Sequence, residues 1–459
     1  MYSKRVYFII GFMLFALFFG AANLIYPAYL GLYAGQHIWT AILGFCITGV
    51  SLPLLGVMAV ASSGVDDLES LAQPISKWYA IVFTAILSLA VGPFFAIPRT
   101  GATSFAIGIA PVLGHSWPVK LGYALLFFGL AYLLSVYPGK LAENIGKYLT
   151  PSLILIITIL IGASFLHPAG NLGRPYNAGK SINLAFASHP FIAGLIQGYG
   201  TMDALASLIF ASLVIEANKI FGITKRKEIT KVTLISGLIA IGLLAFIYVF
   251  IGRIGATSQS LFFMKVGLFT YNGDPVNGGQ ILSHTARFFL GNIGQACLGV
   301  AIFLACLTTA TGLITSSSSY FHKIFPRLSQ VRWTQIFTLL SASFYFGGLD
   351  VIIRWSTPVL YLFYPLTITL IFLVLSRKLY HNHPLVYRTT IFFTLFPALY
   401  DATESLAELT YLFQMPQTLS HFFRDTIPFG AYSLGWICFS VTGYLIGFIV
   451  LQFQTSKKG

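Results

Sequence analysis

Apolar runs of about 20 residues recur along the whole chain, separated by short polar or charged stretches. A helix rising about 1.5 Å per residue needs a run of that length to cross roughly 30 Å of hydrocarbon. Barrel strands would instead alternate polar and apolar positions over about ten residues, and no such alternation is present. The pattern predicts an all-α polytopic membrane protein with spans at 6–32, 38–62, 77–102, 118–137, 149–167, 189–216, 231–252, 287–320, 333–350, 355–376, 388–409 and 430–453. The polar stretch 253–286 carries turn signals at Gly273-Asp274 and Asn277-Gly278-Gly279. A second stretch, 167–188, is rich in Gly, Asn and Pro and is expected to pack over the top of a bundle, whereas the loop 219–231 is short and basic. No soluble domain is predicted.

Two of the apolar runs are interrupted in the middle. The first reads Phe18-Phe19-Gly20-Ala21-Ala22-Asn23-Leu24-Ile25-Tyr26-Pro27, and the sixth reads Gly198-Tyr199-Gly200-Thr201-Met202-Asp203. Small residues leave the backbone uncovered and Pro removes an amide donor, so continuous helix is weakened at both places. Backbone freed inside a bilayer survives only within protein or beside a polar cavity. A kinked helix packed through small residues would explain the first break alone. The second lies about 180 residues further on. If five spans form one unit, five more form a second that enters the membrane with opposite orientation. Paired breaks at matching positions of inverted halves point to a transporter binding site, where half-helix amino ends face anions and unwound carbonyls face cations.

Other polar residues lie at membrane depth. In the eighth span Ala305, Thr308 and Thr309 share one helix face by their i, i+3, i+4 spacing. One carbonyl and two hydroxyls there would offer uncharged oxygen ligands to an alkali cation. Hydroxyls bonding back to their own helix, or packing between helices, would account for the same residues. Arg99 in the third span and Asp203 in the sixth are the charges most enclosed by apolar sequence. Each costs about 2.5–3.5 kcal/mol at mid-depth on insertion scales, which makes them candidates for coupling, for a structural ion pair with each other, or for snorkelling. Asp203 could also carry a proton. Glu404 and Glu408 lie near the end of the eleventh span and are expected to be solvated.

Composition agrees: 56% of the 459 residues are hydrophobic and 9% charged, against about a quarter charged in soluble domains. The net charge of +14 does not indicate nucleic-acid binding, because about two-thirds of the Lys and Arg fall in one alternating set of turns. That set includes Lys4, Lys77, Lys140, Lys147, Lys219, Arg226, Lys323, Arg377, Lys457 and Lys458. The positive-inside rule then puts both termini in the cytoplasm. The amino-terminal run continues to Leu32 without a polar mature start, unlike a signal peptide. Cys46, Cys297, Cys306 and Cys438 lack paired spacing. No P-loop, dinucleotide fingerprint or metal-ligand spacing points to an enzyme or a bound cofactor, so a gradient must supply the energy.

Four stretches carry a resemblance: Phe18 to Pro27, Gly92-Pro93 to Thr100, Gly198 to Leu208 (GYGTMDALASL) and Leu304 to Thr315 (LACLTTATGLIT). They resemble the branched-chain amino acid:cation symporters, the LIVCS family of the amino acid–polyamine–organocation superfamily. The resemblance implies a LeuT-like fold with helices 1 and 6 broken: a first inverted repeat over 6–167, a second over 189–376, and two additional helices over 388–453. It implies import of leucine, isoleucine and valine across the bacterial inner membrane, coupled to Na+ or H+, with no other cofactor. Methionine or another neutral amino acid, and an amino-acid sensor that does not transport, are the alternatives. The chain is expected to act as a monomer in the lipid bilayer. Carried over by position, the substrate's amino and carboxylate groups would lie against Gly20, Ala21, Ala22, Asn23, Gly198, Tyr199, Gly200 and Thr201, with Tyr199 as one wall of an apolar pocket. A sodium ion would lie at Ala305, Thr308 and Thr309 together with the first break at Ala22. The chain departs from the family pattern at Ala22 and Tyr26-Pro27-Ala28, where Gly and Phe-Pro-Pro are expected, and at Ala106, where Glu is expected. The first change is expected to tighten the site and the second to bear on ion coupling or substrate range.

Overall fold

The computed structural model describes residues 4–20, 22–136, 150–179, 184–271 and 273–456. Ala21, Lys140, Lys147, Lys457 and Lys458 lie outside them, as do the expected span limits at 137 and 149. Among the described residues seven helical stretches are long and apolar enough to cross a membrane, or eight if one bent pair is a single span.

Both predicted breaks are present. The first span is α1 (Lys4–Phe18) and α2 (Ala22–Ala34), parted at Phe19 and Gly20. A short turn at Gly35–His37 leads to α3 (Ile38–Cys46), and a wider turn follows before α4 (Leu52–Ser63) and the short α5 (Leu68–Ala72). The third span, expected over 77–102, is interrupted as well. It consists of α6 (Lys77–Leu89), a distorted turn Ala90–Phe94, α7 (Ala96–Ser104), a second wide turn and α8 (Ala110–Leu113). Gly92 leaves helical geometry at φ −84, ψ −118, where Pro93 has no amide to donate. Next come α9 (Trp117–Val136) and α10 (Thr150–Leu166). The sixth span is α11 (Pro190–Tyr199) and α12 (Asp203–Ile220), bent by 41°. Met202 between them sits in the left-handed region at φ 64, an uncommon conformation for a residue with a side chain.

The remaining helices are α13 (Arg226–Ala256), α14 (Gly278–Ile324), α15 (Gln330–Tyr345), α16 (Leu349–Ser376), α17 (Pro384–Thr410), α18 (Gln417–Ser420) and α19 (Trp436–Ser456). The stretch 253–286 is more ordered than a polar loop. Strands β1 (Phe263–Lys265), β2 (Leu268–Tyr271) and β3 (Asp274–Pro275) form an antiparallel sheet, with Phe263 opposite Thr270 and Tyr271 opposite Asp274. Helix α14 begins at Gly278, nine residues before the predicted start, behind an Asn277–Gln280 capping box, and kinks at Gly291.

Packing divides the helices into two groups. Helices α1 and α2 lie on α13, α3 on α11, and α4 on α12. Helix α14 packs on α7, α9, α10 and α15, while α16, α17 and α19 pack in series. At the crossing of α2 and α13 the backbones touch. A side chain at Gly31 would run into the Gly252 carbonyl, and one at Gly255 into the Ala28 carbonyl. Small residues permit this close approach where lipid tails offer no hydrophobic drive for helix association.

The two ends are closed differently. The stretch after α10 lies over one end, as expected: the amide of Tyr176 donates to Tyr33 O at 2.8 Å, that of Gln36 to Gly173 O at 2.9 Å and that of Gly173 to Ala256 O at 3.0 Å. At the other end, the α4–α5 connection is an ionic clasp. Asp66 pairs with Lys219 at 2.8 Å and Arg226 at 2.6 Å, and Asp67 pairs with Lys323 at 2.9 Å. This links α12 and α13 of one group to α14 of the other. Burial alone would raise both carboxyls. The hydrogen bonds and charges of Lys219 and Arg226 outweigh it at Asp66, as do Ser70 and Lys323 at Asp67, and both are lowered from their ordinary value. A lowered carboxyl contributes stability above its unfolded pKa and loses it as pH falls through the folded one, so the contribution of Asp66 and Asp67 is present at neutral pH and is lost in acid.

Glu404 corrects another expectation. It is not solvated: it accepts from the Tyr400 hydroxyl at 2.7 Å and pairs with Arg424 at 2.9 Å, leaving its side chain 14% exposed. The stretch after α17 folds back and delivers Arg424. Glu408 is exposed, as expected.

Gly31→Val should push α2 off α13 and lower stability by about 1–3 kcal/mol, the usual cost of overpacking. Gly242→Ala, where an added methyl meets nothing within 4 Å, should not lower the melting temperature of detergent-solubilised protein, and the gain in helix propensity should raise it slightly.

Candidate functional site

At each break the helix ends leave backbone groups to be satisfied by something else. At the end of α1 those groups are carbonyls. The Thr309 hydroxyl donates to Ala16 O at 3.4 Å and Leu17 O at 3.3 Å, and the Thr308 hydroxyl reaches Ala16 O at 3.2 Å and its own-helix Ala305 O at 2.9 Å. Ala16 and Leu17 are thus the first-break carbonyls beside the predicted hydroxyls; Ala22 instead lies on the α2 side of the break. Gly20 is needed for the approach, because a side chain there would meet Thr309 Oγ1 at 3.0 Å. Carbonyl and hydroxyl oxygens of α1 and α14 therefore gather in one place, a hard, uncharged donor set suited to a small cation.

On the other side of the first break Asn23 is buried and fully engaged. Its Oδ1 accepts the Gly20 amide at 3.0 Å, and its Nδ2 donates to the Asp203 carboxylate and the Tyr248 hydroxyl. The Tyr248 hydroxyl also donates to Asp203 at 3.4 Å. Asp203 opens α12, where the positive end of the helix dipole favours a carboxylate. Its own amide donates to Thr201 Oγ1 at 3.3 Å. One carboxylate and one amide side chain thus tie both breaks and α13 together.

Arg99 does not pair with Asp203. It is buried, and its guanidinium donates to Gly200 O at 2.7 Å and Thr201 O at 3.2 Å. These carbonyls end α11, the negative end of that half-helix, so the cation supplies both the hydrogen bonds and the charge that the break lacks.

The predicted residues separate into two sets. Gly20, Ala22, Asn23, Arg99, Thr201, Asp203 and Thr309 all line a central cavity of about 20 Å³, with Val91, Phe210 and Leu313 among its apolar walls. That volume is roughly one water-sized sphere. Gly198, Tyr199 and Gly200 are not part of its lining. Gly198 abuts Thr48 of the second span, and Gly200 lies under the Tyr26 ring. Tyr199 stacks on Tyr364 with ring centroids 4.2 Å apart, so it braces α11 against α16 and forms no wall of the cavity. Ala305 and Thr308 sit one layer behind Thr309, both buried. Ala21 lies outside the described residues. Sequence reasoning missed Tyr248 and the Ala16 and Leu17 carbonyls. A phenol deep in the seventh apolar run was the available signal for Tyr248; the carbonyls had none, since every residue carries one.

Because Asn23, Tyr248 and Asp203 share hydrogen bonds, Asn23→Ala and Tyr248→Phe should be non-additive in a thermal-stability cycle, with a coupling of about 0.5–3 kcal/mol. Additive losses would show that the two side chains act independently.

Residues 3–454 match the family model described as branched-chain amino acid transport protein. The chain is 36% identical to the branched-chain amino acid permease BrnQ of Bacillus subtilis (strain 168), covering 99% of each chain. It is 38% identical to the permease BraB of the same organism, covering 98% of this chain and 96% of that one. Among solved structures it is similar to Mhp1, a nucleobase-cation-symport-1 family transporter in a closed conformation with bromovinylhydantoin bound, at a TM-score of 0.59, 14% identity, and coverage of 98% and 93%. It is also similar to a mutant of the Eremococcus coleocola manganese transporter, at a TM-score of 0.56, 13% identity, and coverage of 97% and 95%. These likenesses show the fold, a LeuT-like membrane transporter architecture. With the family model spanning nearly every residue and permeases matching end to end, the chain belongs to the branched-chain amino acid transport protein family.

Proposed function

We propose that this protein imports leucine, isoleucine and valine by symport with Na+, through alternating access around the central cavity. The observation that carries the mechanism is the meeting of the two helix breaks, with hydroxyls of α14 on the carbonyls that end α1. The substrate class follows the permeases that match over full length.

The four half-helix ends define the chemistry. The amino ends of α2 and α12 favour a carboxylate, while the carbonyl ends of α1 and α11 favour cations. Arg99 already answers the α11 end, which leaves the α1 end, with Thr308, Thr309 and Ala305, for the coupling ion. The two hydroxyls donate to the Ala16 and Leu17 carbonyls. A cation there would take both sets of oxygen lone pairs, so the hydroxyl protons would turn away and the α1–α14 contact would become ion-mediated. Binding would thereby alter the joint between the two helix groups. The cavity of about 20 Å³ is smaller than any aliphatic amino acid. The walls of the cavity must therefore move apart to admit the substrate. In this reading the two inverted repeats are 6–167 and 189–376, the ionic clasp faces the bacterial cytoplasm, both termini are cytoplasmic, the sheet faces outward, and one chain is the transporting unit.

A proton-coupled reading has its own observation: Asp203 is a buried carboxylate in the cavity wall with hydrogen bonds from Asn23 and Tyr248. Uptake of labelled leucine into proteoliposomes, with sodium and proton gradients imposed separately, distinguishes the two. Sodium-driven uptake is expected, and Thr308→Ala should raise the half-saturating sodium concentration roughly tenfold or more, the scale of one hydrogen-bond-strength contact to a charge. Uptake driven by protons alone, and lost in Asp203→Asn, would move coupling to the carboxylate. No leucine uptake with methionine uptake intact would change the substrate.

A further inference from the structure

From the central cavity, α6 and α14 run on together toward the ionic clasp. Thr309 and Leu313 line the cavity from α14, and Val91 lines it from the third span. Ser316, Tyr320 and Lys323 continue the Thr309 face of α14 at three- and four-residue spacing. The two helices touch along this line. The Ser317 hydroxyl donates to Ser88 O at 3.3 Å, and the Tyr320 hydroxyl to Ile81 O at 3.3 Å. At about 1.5 Å per residue, Tyr320 lies roughly 16 Å beyond Thr309 along the helix.

At that level oxygens from three helices face one another across an unbridged gap. Glu69 of α5 and Thr84 of α6 both approach the Tyr320 hydroxyl, and Thr84 is only 3% exposed. Yet Glu69 Oε2 and Thr84 Oγ1 are buried without a hydrogen-bond partner among the described residues. A buried polar atom left unpaired is costly, and a carboxylate oxygen more so than a hydroxyl. Because the Tyr320 proton is directed to Ile81 O, the phenol oxygen keeps lone pairs for the gap. Ser316 Oγ, one turn nearer the central cavity, is likewise buried and unpartnered. Resting on the sodium-coupled reading above, we propose that Glu69, Thr84 and Tyr320 form an inner sodium site, occupied by the coupling ion after it leaves the α1–α14 oxygens.

The charge around the gap matches such an ion. Asp67 accepts the Ser70 amide at 2.8 Å and pairs with Lys323 at 2.9 Å, which fixes α5 against α14. Lys323 stands 3.7 Å from Glu69 Oε1. One ammonium therefore serves two carboxylates, and a monovalent cation at Glu69 Oε2 supplies the charge that remains. Carboxylate, hydroxyl and phenol oxygens are hard ligands, suited to an alkali cation rather than a softer metal. The Glu69 side chain is 13% exposed, so the site stands at the edge of the protein. An ion leaving the uncharged oxygens beside Thr309 thus meets a carboxylate before it meets water.

Equilibrium binding of radioactive sodium to the purified full-length protein tests this, with melting temperature as the check on folding. Two sodium ions per chain are expected. Glu69→Gln and Thr84→Val should each weaken one of them about tenfold or more, as loss of a charge-assisted contact does, while Thr308→Ala weakens the other. Thr84→Val keeps shape and net charge, so it decides the matter if Glu69→Gln loosens the clasp. Sodium loaded inside proteoliposomes should inhibit leucine uptake, and both variants should require about tenfold more of it. A single sodium ion per chain, weakened by Thr308→Ala alone, would show that the gap holds only water and would overturn the proposal while leaving sodium coupling intact. Two sodium ions, or inhibition by internal sodium, undisturbed in both variants would overturn it as well. No sodium binding by the unaltered protein would overturn the sodium-coupled reading and this proposal together.

Discussion

Asn23 accepts the amide of Gly20 and donates to Asp203 and Tyr248, and the centre of the protein depends on that exchange. A helix interrupted within hydrocarbon exposes amides and carbonyls at a cost of several kcal/mol for each unsatisfied group. This chain ties two helix breaks to each other through a side-chain bond and satisfies their backbone ends largely from other helices. Asp203 belongs to the second break but is bonded by a side chain of the first. Arg99, from the third span, satisfies the carbonyls that end α11, and the α14 hydroxyls satisfy those that end α1.

The two helix groups are held within themselves by close packing and joined to each other, at the centre and at one edge, by polar contacts. Within a group, contacts such as Gly31 on Gly252 bring backbones into touch and leave little freedom to slide. Between groups, the central contacts are polar: hydroxyl-to-carbonyl bonds of 3.2–3.4 Å from α14 to α1, and the Arg99 guanidinium on the carbonyls that end α11. The clasp of Asp66 and Asp67 spans the groups through half-exposed ion pairs, which contribute little to stability individually and exchange readily with water. Rigid units joined by weak polar contacts are what a rocking motion requires.

How much of this was legible in the chain depends on whether the signal was local. Run length, the Gly and Pro interruptions at Gly20 and Gly198, and the buried charges Arg99 and Asp203 follow from residues beside one another, because bilayer thickness and backbone hydrogen bonding act locally. The family motifs were legible for the same reason. Gly92-Pro93 carried an equally local break signal, yet the apolar run on both sides masked it. What the sequence determined by itself was therefore that helices cross a membrane, where two of them break, and which polar groups lie at that depth. Only the tertiary structure decided that Arg99 meets carbonyls instead of Asp203, that Tyr248 joins the network, and that Gly198 and Tyr199 turn to neighbouring helices. A helix that is apolar all round has no stripe to declare its inner face. Its rotation is set by packing against helices far away in the chain, and that rotation chooses the partner of every polar side chain it carries.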